Sequence, residues 1–320
     1  MKFKKKKFSA IIKRLWLFSL FIQLAIAAPA SALTFALPSG KDNIVGQVQM
    51  ILSQPGDDFH AIAQRYDVGY YEMVEANPTL TPTIELPVRT LVLVPTRFIL
   101  PDAPRKDIVI NLPELRLYYY PPGGREVVTY PVGIGRQGWQ TPETITKIIL
   151  KRKNPTWVVP PDIKAYRASQ GVILPTSVPP GPDNPLGDYA MSLAIPAYAI
   201  HGTNDPTGVG MRSSSGCIRL YPDDIEVLFH MVSAGTRVNI INQPLKLGRL
   251  NNNLYLESHL PLQEDQLKYH NNFSSLLDAT IATATKNQQA NIDWVIAQQA
   301  AGQEQGFPIL IGKIVVPGAT

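Results

Sequence analysis

The chain has 320 residues, of which 45% are apolar, 8% aromatic and 17% charged, a composition that excludes an intrinsically disordered protein. Its 29 prolines and 22 glycines favour short strands and turns over a helical bundle, and its length suggests about two domains. The net charge of +5 does not indicate a nucleic-acid partner, because seven of the 30 basic residues precede position 33 and the remaining 23 face 25 acidic residues.

The first segment, residues 1–32, has the three parts of a secretory signal peptide. A Lys-rich start is followed by an apolar run over Leu15–Ala28 and by the small residues Ala30-Ser31-Ala32. The alternative is an uncleaved membrane anchor, but the run falls short of the roughly 20 residues that cross a bilayer. We therefore expect cleavage after Ala32 and a mature periplasmic protein without a membrane segment.

The second segment, residues 43–96, predicts a small βααβ module. Apolar residues recur at helical spacing in two short stretches between β-like ends, acidic Asp57-Asp58 precedes the first helix, and Asn77-Pro78 ends the second. The pattern resembles the LysM module, on the residues Asp57-Asp58, Tyr66, Ala76-Asn77-Pro78 and Val94-Pro95. The resemblance implies binding to the N-acetylglucosamine-containing glycan of peptidoglycan. A packing module without a ligand is the alternative.

A Pro-rich stretch, residues 95–104, predicts a semi-rigid linker. The third segment, residues 105–243, contains apolar runs of strand length separated by Pro and Gly, which predicts a mainly β domain built as a twisted β-sandwich. Within it, the Pro-rich stretch Val158–Gly187 is too long for a turn and suggests a lid or a substrate-lining loop. Residues 250–320 predict a tail of one or two packed helices after some strand character. The expected fold class is α+β.

Chemistry is concentrated in Tyr198–Phe229. The chain has a single cysteine, Cys217, which on composition alone suggests a small buried hydrophobe. About 15 residues upstream lies His201, a base that activates a thiol when the loop between them makes a hairpin-like return. The small residues Ser215 and Gly216 let backbone N–H groups, with that of Cys217, approach a substrate carbonyl. Arg219 supplies a positive charge that lowers the thiol pKa or holds a carboxylate.

This stretch resembles the active-site signature of the L,D-transpeptidase family. The signature is His-Gly-Thr, a loop, and Ser-(His or Ser)-Gly-Cys-(apolar)-Arg. The resemblance implies that His201 is the general base, Cys217 the nucleophile and Gly202 the residue whose carbonyl orients the imidazole. The remaining matches are Ser214, Ser215, Gly216 and Arg219. Many members carry histidine at the position of Ser215, which contributes chiefly backbone in the family pattern.

By this resemblance the protein cleaves the bond between meso-diaminopimelate and D-alanine in a peptidoglycan stem through a Cys217 thioester. An amine then accepts the acyl group, either on a neighbouring stem, giving a 3-3 crosslink, or on a lysine of an envelope protein. Two alternatives remain: an L,D-carboxypeptidase, in which water is the acceptor, and a non-catalytic peptidoglycan-binding protein. The partners expected are stem peptides and glycan, and no nucleic acid.

No cofactor and no metal are expected. One cysteine and five dispersed histidines offer no recurring ligand spacing. His60, on a module helix, and His230, expected just after a helix, are interpreted as surface or packing residues.

Overall fold

The computed structural model describes residues 32–82, 84–286 and 288–315, so the predicted signal peptide lies outside the described residues except for Ala32. Those residues divide into three packed units, and the α+β class predicted from the sequence is confirmed. None of the helices within them is long and apolar enough to cross a membrane.

The first unit is the βααβ module, preceded by one strand that joins the next unit. The elements of this part are β1 (Leu33–Ala36), β2 (Ile44–Gly46), β3 (Gln49–Leu52), α1 (Phe59–Tyr66), α2 (Tyr70–Ala76), β4 (Leu91–Val94) and β5 (Arg97–Ile99). Strand β3 pairs antiparallel with β4, and both helices lie between them in the chain.

Both helices of the module begin and end where the sequence predicts. The Asp58 carboxylate caps α1 by accepting from the Ala61 N–H at 2.8 Å. Buried Asn77 follows α2, and its amide bonds Met73 O at 2.9 Å and Leu93 O at 2.8 Å, while its carbonyl accepts from Leu93 N–H at 2.9 Å. The Asn of the Ala-Asn-Pro phrase therefore joins α2 to β4.

The predicted linker after the module is wrong. Residues 97–99 form β5, which pairs with β2, and Phe98, Ile99 and Leu100 are buried. Apolar side chains override the stiffness of the flanking prolines, because burying them removes a large apolar area from water. β2 and β5 pack on the outer face of the next unit through a shared core that contains Val45, Phe98 and Tyr118.

The second unit is mainly β. Its strands and helices are β6 (Asp107–Asn111), β7 (Arg116–Tyr120), β8 (Glu126–Pro131), β9 (Ile134–Gly135), β10 (Thr144–Lys153), β11 (Trp157–Val158), α3 (Pro161–Ser169), β12 (Ser177–Val178), β13 (Tyr189–Leu193), β14 (Ala199–His201), a 3-10 helix (Pro206–Gly208), β15 (Arg212–Ser214), β16 (Ile218–Arg219), α4 (Pro222–Met231) and β17 (Arg237–Ile241). The apolar segment from Asp107 to Tyr120 thus forms two strands, β6 and β7, joined by a turn. His230 lies in the last turn of α4 and not after it.

Eight strands of this unit and β1 form one nine-stranded sheet in the order β1-β8-β7-β6-β17-β10-β13-β14-β16. The sheet curls, because β8 leads into β9 and Gly133 bridges to Arg219 on the last strand. The main core fills the curl, with Ile148, Met191 and Ile200 from strands facing Ile225 and Leu228 from α4. This closure brings β9, β14 and β16 together at one edge.

The third unit follows β17, and it contains a four-stranded sheet where the sequence predicts one or two helices after some strand character. Its elements are β18 (Leu245–Leu250), β19 (Asn253–Ser258), α5 (Gln266–Asn271), α6 (Phe273–Ala284), β20 (Ala290–Ile292), α7 (Trp294–Gln303) and β21 (Ile309–Ile314). A sheet in the order β18-β19-β21-β20 packs against the helices. The Ala-rich composition indicates the helices correctly, but the helices need the sheet to bury their apolar faces.

A buried polar junction ties the three units together. The Lys246 ammonium of β18 lies 2.7 Å from Glu114 of the second unit and 2.6 Å from Glu257 of the adjacent strand β19. Glu257 also accepts from His259 Nε2 at 2.8 Å, and His259 Nδ1 faces Glu75 of α2 at 3.4 Å. Because each charge has an opposite partner, the junction holds the units in one arrangement.

Candidate active site

Two adjacent parallel strands bring His201 and Cys217 to the same edge of the sheet. β14 pairs with β16 in a register that sets Ile200 opposite Ile218 and His201 opposite Arg219, and Cys217 immediately precedes β16. The expected hairpin-like return is therefore wrong. Parallel strands need a crossover of about a dozen residues or more. The intervening loop supplies it through the 3-10 helix and β15, which pairs with β9.

The turn that carries the nucleophile is held by side chains on both sides. The Ser214 hydroxyl donates to Cys217 O at 2.6 Å and accepts from Gly216 N–H at 3.1 Å. The buried Thr141 hydroxyl donates to Gly216 O at 2.7 Å and accepts from Gly135 N–H at 2.9 Å. Because its N–H is already used, Gly216 does not offer the expected free donor, and the N–H of Cys217 is the group that can face an oxyanion.

Gly216 is required at its position for two reasons. Its φ is +107°, a region that other residues rarely adopt, and a Cβ there would lie 2.7 Å from Cε1 of Tyr198. The Tyr198 hydroxyl in turn donates to Gln140 O at 3.1 Å. Tyr198 thus closes one wall beside the nucleophile.

The Cys217 thiol is half-buried, with its sulfur 3.6 Å from Ala197 O. Burial raises its pKa above the ordinary value, opposed by a hydrogen bond from the Ala199 backbone and by the charge of Arg219. Arg219 acts in the direction expected from the sequence, but burial outweighs it. The resting group at neutral pH is a thiol.

The His201 imidazole is buried, and its Nδ1 lies 2.6 Å from Gly202 O. A carbonyl only accepts, so this contact places the proton on Nδ1 and leaves the Nε2 lone pair free. Burial, followed by the nearby charge of Arg219, lowers the pKa of His201 to about 4, while the Gly202 contact opposes the shift. The site therefore combines a neutral imidazole with a protonated thiol.

Arg219 lies on β16 with its guanidinium beside the 3-10 helix. A Cβ placed on Gly208 would come within 2.7 Å of its Nη1. Its buried Nε has no hydrogen-bond partner among the described residues, and burial lowers its pKa. A guanidinium with a free donor can take a carboxylate oxygen.

Ser215 is half-buried and its side chain contacts a residue that the sequence pattern did not single out. Arg136 Nη1 donates to Ser215 Oγ at 3.2 Å, and the Arg136 N–H donates to Ser214 O at 3.0 Å. The Arg136 guanidinium also lies 5.2 Å from the Trp139 ring centroid and 4.6 Å from that of Tyr166. Arg136, Trp139 and Tyr166 lie far from Cys217 in the chain and carry no local motif, so only the fold brings them to the site.

Tyr166 belongs to α3, inside the Pro-rich stretch Val158–Gly187. That stretch is structured by the β11–β12 pair and by buried Asn184, whose amide donates to Pro155 O at 2.7 Å. No residue of α3 is buried, and Ile173 is 84% exposed. The stretch therefore contacts the site through its aromatic residue while leaving apolar side chains in solvent.

A cavity of about 500 Å³ adjoins Arg136. Residues from all three units line it, including Tyr71 of the module, Arg136 and Arg212 of the second unit, and Leu260 of the third. Arg212 is paired with Glu264 at 2.8 Å. The module and the third unit thus both reach the cavity next to Arg136.

Among the described residues, one group of side chains has metal-ligand spacing, namely Glu114, Glu257 and His259. The Lys246 ammonium already lies against both carboxylates at 2.7 and 2.6 Å. A cation of the protein itself thus takes the place that a metal would need. The group belongs to the junction between units and not to the site of Cys217.

Comparison with known proteins gives a consistent result. Residues 105–240 match the family model described as the L,D-transpeptidase catalytic domain. The chain is 41% identical to the probable L,D-transpeptidase YcfS of Escherichia coli K12, over 92% of this chain and 93% of that protein. It is 37% identical to the probable L,D-transpeptidase YbiS (90% and 95%) and 38% identical to the probable L,D-transpeptidase ErfK/SrfK (92% and 95%) of the same organism.

Proposed function

Because this chain belongs to the L,D-transpeptidase family, we propose that it cleaves the meso-diaminopimelate to D-alanine bond of peptidoglycan tetrapeptide stems through a Cys217 thioester. The observation that carries the mechanism is the neutral His201, whose Nδ1 donates to Gly202 O and whose Nε2 is free to accept a proton. Cys217 precedes the strand that pairs with that of His201.

In the acylation step, His201 Nε2 takes the proton of the Cys217 thiol as sulfur attacks the diaminopimelate carbonyl. The oxyanion accepts from the N–H of Cys217, and Arg219 holds a substrate carboxylate. When the carbon–nitrogen bond breaks, His201 returns the proton to the departing D-alanine amine. The thioester that remains holds the acyl group.

In the second step an amine attacks the thioester, and His201 Nε2 accepts a proton from it. As the carbon–sulfur bond breaks, the proton passes to the sulfur and restores the resting thiol. The LysM-like arrangement beside the catalytic unit resembles that of protein-anchoring members, so we propose a lysine of an envelope protein as the preferred acceptor.

The test is incubation of the chain from Leu33 with tetrapeptide muropeptides, with products resolved by mass. Three arms are compared: no acceptor, a second stem peptide, and a lysine-containing peptide. Transfer to the lysine peptide is the expected result. Tripeptide in every arm would establish a carboxypeptidase, and unchanged substrate with the intact chain would overturn the catalytic proposal.

We also propose that the module β3-α1-α2-β4 binds the N-acetylglucosamine glycan. The βααβ arrangement supports this, as does Tyr71 of α2, which lines the cavity next to Arg136. A glycan on the module would lie close to the catalytic unit. The Cys217→Ala chain should sediment with insoluble peptidoglycan and be released by soluble N-acetylglucosamine oligomers, and no release by the oligomers would contradict the assignment.

Export to the periplasm, with cleavage after Ala32, is part of the same proposal. It rests on the charge and hydropathy pattern of the first 32 residues, and β1 begins at Leu33, directly after the expected cleavage site. N-terminal sequencing of the periplasmic fraction should yield Leu33.

A further inference from the structure

The backbone nitrogen of Leu33 lies in a buried acidic environment. It donates to Asp67 Oδ2 at 2.9 Å, across the boundary between the start of the catalytic sheet and the module. Asp67 is 1% exposed and follows α1 in the left-handed region, with φ of +55°. Its side chain is therefore held in place by both burial and backbone.

Four charged side chains are buried together at this point: Asp67, Glu72, Arg116 and Asp224. Arg116 is committed to Glu72, with its Nε and Nη2 each 2.7 Å from a carboxylate oxygen. Three carboxylates thus face one guanidinium. Asp67 and Asp224 lie side by side. Burial, followed by the charge of Asp67, raises the pKa of Asp224 well above its ordinary range. Burial also raises the pKa of Asp67, while Arg116 and the contact with Asp224 oppose that shift.

Each of the two carboxyl groups has one oxygen without a donor. Asp67 Oδ1 and Asp224 Oδ2 are buried and have no hydrogen-bond partner among the described residues. Neighbouring hydroxyls are used elsewhere, because Tyr221 donates to Val68 O at 3.2 Å and Thr129 donates to Leu117 O at 2.9 Å. A buried carboxylate oxygen without a donor is costly, and a cation with several N–H groups would supply the missing donors.

We propose that the Asp67–Asp224 pair is a binding site for the chain's own α-ammonium group at Leu33. This inference rests on the proposed cleavage after Ala32. Hydrolysis of the Ala32–Leu33 peptide bond converts an amide that offers one N–H into an ammonium that offers three and carries a positive charge. The nitrogen already lies within hydrogen-bond distance of Asp67. Cleavage also removes Ala32 from a backbone φ of +28°, which residues other than glycine rarely adopt.

The site joins the module to the catalytic unit. Asp67 lies in the turn between α1 and α2, and Glu72 in the first turn of α2, whereas Arg116 lies on β7 and Asp224 on α4. The same turn packs closely, since a Cβ on Gly69 would lie 2.8 Å from Gly210 Cα. Processing of the N-terminus therefore strengthens the docking of the module, and the uncleaved precursor lacks this ion pair.

The experiment compares two forms of the chain, one beginning at Leu33 and one that retains Ser31-Ala32. Their α-amines are acetylated with a limiting reagent and the rate is followed by mass spectrometry. We expect the Leu33 amine to react at least about tenfold more slowly, because it is buried and ion-paired. We also expect its unfolding midpoint to be higher by about 3 °C or more.

Variants identify the partner. Asp67→Asn and Asp224→Asn should each reduce the difference in amine reactivity and the difference in unfolding midpoint between the two forms. Asp223→Asn should retain both differences, because Asp223 is the exposed neighbour in the first turn of α4. The form that retains Ser31-Ala32 keeps every side chain of the site. Its comparison with the Leu33 form therefore tests the inference even if an Asn variant folds poorly.

Three results would overturn the inference: equal amine reactivity in the two forms, an undiminished difference in Asp67→Asn, or an exported chain that begins at another residue. Transfer activity on soluble muropeptides, measured on the same samples, separates this outcome from the catalytic proposal. Loss of transfer would count against the Cys217 mechanism alone and would leave the amine measurements valid.

Discussion

His201 and Arg219 are register partners on the parallel strands β14 and β16, and this pairing places the Arg219 charge where it helps to lower the pKa of His201. Burial first and the Arg219 charge second hold the pKa of His201 at about 4. The imidazole is thus neutral at ordinary pH and ready to accept the thiol proton. Arg219 has a role that the motif alone does not reveal, since it acts on the base as well as on the thiol.

His201→Ala should lower turnover by about a hundredfold or more, the range for loss of a general acid–base. Ser215→Ala is the matched control at the position where many members carry histidine. It should cost less than about tenfold, because the side chain only meets Arg136 and the backbone is retained. Steady-state release of D-alanine, with folding checked by circular dichroism, measures both. Equal and severe losses would mean that the Ser215 side chain carries chemistry assigned here to His201.

In the pH profile of kcat/KM, the loss of activity on the acidic side, the acidic limb, should lie near pH 4 and not near pH 6.5. The base works when neutral, and its pKa is lowered, so activity falls only as pH drops through about 4. Arg219→Gln should move this limb to higher pH, because a charge that disfavours imidazolium is removed. Arg152→Gln, on an exposed Arg of β10, is the control and should leave the limb unchanged. A wild-type limb at pH 6 to 7 would contradict the assignment.

Thr141→Val should reduce turnover by about tenfold with little change in KM. The substitution leaves Gly216 O and Gly135 N–H without their partner, at a cost of about 1–3 kcal/mol for a buried polar group, and loosens the nucleophile turn. Thr146→Val is the matched control, because the Thr146 hydroxyl has no hydrogen-bond partner among the described residues. A similar loss of turnover in both variants would show that Thr141 has no positioning role.

His259→Gln should lower the thermal unfolding midpoint, and the deficit should depend on pH. Burial opposes the charged form of His259, but Glu257 and Glu75 raise its pKa to about 10. A raised folded-state pKa gives stability that is fully present below about 6.5 and is lost as pH rises towards about 10. The difference in unfolding midpoint between wild type and variant should therefore shrink as the pH rises from about 6.5 towards about 10. His270→Gln, on an exposed histidine, should show no such gap.

Local sequence patterns predicted the parts of the fold that depend on near neighbours. The Asp58 cap, the helix end at Asn77-Pro78 and the long strand β10 follow from spacing and turn chemistry. The linker prediction fails at β5 because the prolines on either side of the strand are a local signal, whereas its partner β2 lies far upstream. In the third unit the sequence indicates strand character only near its start, where β19 lies, and not the complete four-stranded sheet, because its short strands become stable only when paired.

The sequence by itself singled out His201 and Cys217 as the candidate reactive pair, because the stretch around them resembles the active-site signature of the L,D-transpeptidase family. Only the tertiary structure decided which tautomer His201 adopts, that the thiol is protonated at rest, and that Thr141 and Arg136 support the nucleophile turn. It also placed Leu33 beside Asp67. Protonation and positioning depend on burial and on charges from distant strands, and these contacts exist only after the sheet has curled on itself.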